Sequence, residues 1–66
     1  MYRMTQSERR NAREIIERSI SAYLSANALM AENAKLIAFE HADFARQMGL
    51  ISYDEWHEYC RQIGLL

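Results

Sequence analysis

The chain has no proline, only two glycines and a single cysteine, and no apolar run long enough to cross a bilayer. Each absence excludes something. From Gln6 to Met48 there is neither Gly nor Pro, so no strong helix breaker interrupts most of the sequence. The glycines, Gly49 and Gly64, stand singly and late, which leaves no Gly-rich loop to cradle a phosphate. Cys60 has no second cysteine to pair with, so an internal disulfide is excluded and a reducing compartment is the natural setting. Arg3, Arg9, Arg10 and Arg13 are not followed directly by an apolar stretch, so no signal peptide is expected. The expected location is the cytoplasm, with no membrane association.

Half of the residues are apolar, which argues against disorder. Sixty-six residues make one small helical domain, spanning 1–66. A chain this short buries little of its surface, and without disulfides its usual support is a metal or a partner subunit. The net charge of −1 is unevenly spread. Residues 1–18 hold five Arg against three Glu, whereas residues 19–66 hold three cations against six acids. Such asymmetry can orient chains on one another or draw an anionic partner to the first turns.

Two capping boxes stand out. Thr5-Gln-Ser-Glu8 predicts a helix start at Gln6, and Ser52-Tyr-Asp-Glu55 predicts a second start at Tyr53. Ile51 and Trp56 occupy the two positions of a hydrophobic staple around Ser52. Gly49 suits the left-handed residue that ends a helix, with Leu50 folding back over the last turn. Gly49, Leu50, Ile51, Ser52, Glu55 and Trp56 therefore form a turn, at 49–51, and docking unit for a short last helix that Gly64 can end.

Between the first cap and Met48, one stripe at 3–4 spacing is Ile16, Ile20, Tyr23, Asn27, Met30, Ala34, Ile37, His41, Phe44, Met48, of which eight of ten are apolar. Two readings are open. One continuous helix over 6–48 would be about 65 Å long and would need a second chain to cover it. A break near Ser25-Ala26-Asn27 would instead give three helices, 6–25, 28–48 and 53–63. In the first reading Asn27 and His41 are core positions that set register. Either way the expectation is an all-α homodimer. Its core would be Ile16, Ile20, Tyr23, Asn27, Met30, Ile37, His41, Phe44 and Met48, and Asp at position 20 or 37 would dissociate or unfold it.

Candidate chemistry is sparse. His57 and Cys60 share a helix face, but zinc sites use two such pairs and only one is present. A Cys60–His57 nucleophile lacks any sequence signal for an oxyanion hole. Neither enzyme nor cofactor is expected. The rings of Tyr2, Tyr23, Tyr53, Trp56 and Tyr59 are many for so short a chain and suit an interface.

Phe44-Ala-Arg-Gln-Met-Gly-Leu-Ile-Ser52 resembles the turn of a helix-turn-helix motif. It departs where Glu55 and Glu58 stand at positions that family keeps apolar, and where Asp54 adds a charge that repels phosphate. The resemblance implies a nucleic-acid regulator, for which Arg9, Arg10 and Arg13 would supply backbone contacts. Gly49-Leu-Ile-Ser-Tyr-Asp-Glu-Trp56 with Gly64-Leu-Leu is similar to short C-terminal helical modules that mediate oligomerisation or attachment. The whole chain, from Met4-Thr-Gln-Ser-Glu-Arg-Arg10 to Gly-Leu-Leu, also looks like the small helical early proteins of lambda-like temperate phages, encoded between the exonuclease and excisionase genes. An internal start at Met4 would suit that family's size. This last resemblance implies a non-enzymatic accessory protein that influences lytic development or the host cell cycle through host or phage proteins. Protein partners are favoured over nucleic acid.

Overall fold

The computed structural model describes residues 5–66; Tyr2, Arg3 and Met4, which figured among the aromatic, charged and start-site expectations, lie outside the described residues. Three helices follow one another: α1 (Gln6–Ser25), α2 (Ala28–Gln47) and α3 (Tyr53–Gln62). Among the described residues there is no strand.

Local chemistry accounts for each boundary. At the start of α1, Thr5 Oγ1 accepts from the Glu8 amide at 3.1 Å, and Glu8 Oε1 accepts from the Thr5 amide at 2.9 Å. The same reciprocal pair joins Ser52 and Glu55 at the start of α3, at 3.1 and 2.9 Å. The Ser52 amide, with its hydroxyl and then Arg13 adding to it, holds the Glu55 carboxyl below its ordinary range. After α2, Gly49 has φ +75°, the Leu50 amide donates to the Ala45 carbonyl at 2.8 Å, and the Gly49 amide donates to the Arg46 carbonyl at 3.0 Å. These two bonds define a Schellman end. Gly64, at φ +79°, repeats it for α3, with the Leu65 amide donating to the Cys60 carbonyl at 2.9 Å.

The continuous helix over 6–48 does not form. Ala26 and Asn27 are extended, at ψ 145° and 171°, and Asn27 Oδ1 accepts from the Met30 amide at 3.0 Å. Asn27 is thus the N-cap of α2, and not a buried residue that sets register. Its short polar side chain offers the backbone an alternative to helix continuation, so no Gly or Pro is needed for the break. Two residues suffice to turn α2 back along α1, and α1–α2 packing dominates the fold.

The core is narrow. It consists of Ile16 and Ile20 from α1, Ala38, Ala42 and Ala45 from α2, Ile51 from the turn, and Tyr59, Cys60 and Ile63 from α3 or its end. Tyr23, Phe39, Leu50 and Trp56 pack around it half-buried. Alanine on the inner face of α2 lets its axis approach α1 closely, since interaxial distance follows the side chains at the contact. Ala42→Leu should therefore wedge the hairpin open. Overpacking of a filled core costs about 1–3 kcal/mol, which urea denaturation followed by circular dichroism would read as a lowered midpoint.

Candidate functional site

Helix α2 carries two apolar stripes of different size. Small residues (Ala38, Ala42 and Ala45) face inward. The large ones, Met30, Ile37, Phe44 and Met48, recur at 7, 7 and 4 residues on another face and are 42–62% exposed. A helix that keeps alanine inside and Ile, Phe and Met outside has its bulkier apolar surface open to solvent. This inverts the usual burial ranking of these residues.

Helix α1 extends that face sideways. Ile15, 47% exposed, stands one residue from buried Ile16 and therefore points out on the flank beside α2. Ser19, Ala22 and Ala26 follow at helical spacing on the same flank and are small. Together the two helices form a plane about 30 Å long, with an open groove of about 520 Å³ between Ala12 and Ile15 on one side and His41, Phe44 and Met48 on the other. Leu50 and Glu8 also line the groove.

A hydrogen bond joins the two helices at the middle of the plane. Ser19 Oγ lies 2.6 Å from His41 Nδ1 and 3.0 Å from the Ile15 carbonyl. The hydroxyl has one proton. Donating it to the carbonyl makes Ser19 the acceptor of His41 Nδ1–H, so the imidazole holds the helices together and does not activate the serine as a base would. Both residues sit in helix interiors whose backbone amides are already committed, and so offer no oxyanion hole.

The opposite side is covered by α3. Tyr59 Oη donates to Glu17 at 2.9 Å, and Arg13 pairs with Glu55 at 3.4 Å, tying α3 to α1. Burial and the Glu17 bond push the Tyr59 phenol far above its ordinary range. Trp56 packs against the core with Arg46 4.9 Å over its ring and Tyr53 5.4 Å away. Cys60 is buried, which raises its thiol, and it is not poised for reaction. His57 lies exposed while Cys60 lies inside, so the two do not converge. Among the described residues no group of three or more potential ligands could hold a metal. A second groove, of about 450 Å³, runs beside Leu36, Phe39, Trp56, Leu65 and Leu66.

The residues expected at a dimer core thus divide. Ile16 and Ile20 are buried in the chain's own core. Tyr23 is half-buried, with Lys35 Nζ 5.8 Å from its ring centre. Asn27 is a helix cap, and His41 is exposed and bonded to Ser19. Met30, Ile37, Phe44 and Met48 remain together on the open face, joined by Ile15, which the sequence stripe omitted. Of the arginines, Arg13 is engaged by Glu55, whereas Arg9 and Arg10 are exposed. The helix-turn-helix expectation meets an acidic α3, whose exposed positions include Asp54 and Glu58, the latter paired with Arg61. No helix among the described residues is long and apolar enough to cross a membrane. Comparison with protein-family models, curated proteins and solved structures finds no match to this chain.

Proposed function

We propose that this chain is a non-enzymatic interaction protein that acts as a helical homodimer. One observation carries the reading: a folded three-helix unit with its own core leaves Met30, Ile37, Phe44 and Met48 exposed at helical spacing along α2 and its end, with Ile15 of α1 lining the same groove as Phe44 and Met48. Large apolar side chains gathered in the open on one face mark an association site. The likeness of Met4-Thr-Gln-Ser-Glu-Arg-Arg10 and the C-terminal Gly-Leu-Leu to small phage early proteins supports a regulatory role. That role would be exerted on host or phage proteins in a bacterial cytoplasm, through surface left over after dimerisation.

Sedimentation equilibrium over a wide concentration range, with circular dichroism on the same samples, tests the proposal. A helical dimer is expected, and a stable monomer at every concentration would overturn self-association. The rival reading, a nucleic-acid regulator, predicts duplex binding that weakens steeply with salt and is lost when Arg9 and Arg10 become Ala.

A further inference from the structure

The open face has a direction, and its charges say how a second copy sits on it. This inference rests on the self-association reading above. Helices α1 and α2 are antiparallel, and the Ser19–His41 bond at 2.6 Å sets them level at that point. Arg18 and Glu40 each precede a member of that bonded pair by one residue. A step of one residue turns about 100° round a helix, so each side chain moves from the seam to the outer edge of the face. Arg18 therefore stands on the α1 edge and Glu40 on the α2 edge, at one height, and both are exposed.

Neither charge is well satisfied among the described residues. Arg18 reaches only Glu14, at 3.8 Å and with its side chain 79% exposed. Glu40 has no ion-pair partner among the described residues, and the edge it shares with Asn33 and Gln47 carries no cation.

Two copies can stack face to face about a two-fold axis in two simple ways. An axis across the helices lays α1 on α1 and α2 on α2. That brings the Ser19–Ala22 stretch onto itself and leaves Glu40 beside an edge without a cation. An axis along the helices lays α1 of each copy on α2 of the other, keeps every residue at its own height, and sets Arg18 beside the partner's Glu40 on both edges. It also places Ile15 over the Phe44–Met48 end, and the small Ala22 and Ala26 over the end holding Met30 and Ile37.

We infer that the dimer is a four-helix assembly in which α1 packs antiparallel on the partner's α2, closed at both rims by Arg18 with the partner's Glu40. The size is adequate. Two 20-residue helices about 30 Å long, side by side over about 20 Å, offer on the order of 600 Å² per copy, near the lower bound for a stable interface.

The test is a mixing experiment with Arg18→Glu and Glu40→Arg by sedimentation equilibrium in low salt, where rim charges are least screened. Each variant alone opposes like charges at both rims and should dimerise about tenfold more weakly than the unaltered chain. Mixed together, every rim pair is opposite in sign, so a heterodimer should form with the affinity of the unaltered chain to within about twofold. Circular dichroism of each variant checks that helix content is unchanged, as two exposed sites require. If the unaltered chain dimerises but the mixture does not recover, the arrangement is overturned and self-association stands. If the unaltered chain is monomeric, both fall.

Discussion

Ile20→Asp is expected to abolish the folded state. Ile20 is 4% exposed and sits between α1 and α2 in a core that, among the described residues, has only nine buried apolar residues. The substitution removes an aliphatic side chain worth roughly 1.5–3 kcal/mol of burial. It also places a carboxylate where no described cation is buried, at a further cost of several kcal/mol. A domain of this size holds only about 3–5 kcal/mol in total from its core. Circular dichroism should show the helical signal lost at 25 °C, without a cooperative melt. Ile16→Ala is the graded control. It leaves a cavity without a charge and should cost about 2–5 kcal/mol, so that folding recovers at high protein concentration if association contributes to stability. A variant carrying Asp at position 20 that melted like the unaltered chain would overturn the assignment of this core.

The helix ends are legible because they are written in local chemistry. A hydroxyl three residues before a carboxylate, or a lone glycine after an apolar run, acts within one turn and needs no knowledge of the rest of the chain. Thr5, Ser52, Gly49 and Gly64 are all readable on that ground. The break at Ala26–Asn27 is ambiguous in the sequence for an equally physical reason. Asn27 caps a helix well but is also tolerated inside one, and the apolar period runs through it because the helices on both sides carry stripes in phase. The inner face of α2 is hidden because bulk dominates a periodicity signal. Ile37, Phe44 and Met48 outweigh Ala38, Ala42 and Ala45, yet only the alanines allow α1 to approach. Much of the candidate site is therefore visible as a stripe while its meaning is not: residues expected to share one seam separate into a buried pair on α1 and an open row on α2. Ile15, and the bond between Ser19 and His41, depend on the register of two helices, which no local pattern encodes.

Ile37→Asp and Phe44→Asp are expected to do the opposite of Ile20→Asp, although positions 20 and 37 look equivalent in the sequence. Ile37 is 42% and Phe44 62% exposed within one chain, so a carboxylate at either position stays hydrated and leaves the α1–α2 alanine contact intact. The variants should remain helical. What they lose is the face itself. Two-fold symmetry puts each substitution into the interface twice, so a dimer would desolvate two unpaired carboxylates and lose two large apolar contacts, and dissociation should rise by at least about a hundredfold. Melting of the unaltered chain should shift upward with concentration, as an associating protein must, whereas melting of Phe44→Asp should be independent of concentration. Sedimentation at the same concentrations gives the mass directly. If Phe44→Asp stayed dimeric, the open face would not be the interface. If both variants lost their helical signal together with association, the three-helix unit would be stable only inside the dimer. Its narrow core, with three alanines among nine buried residues, would then be completed by the second copy.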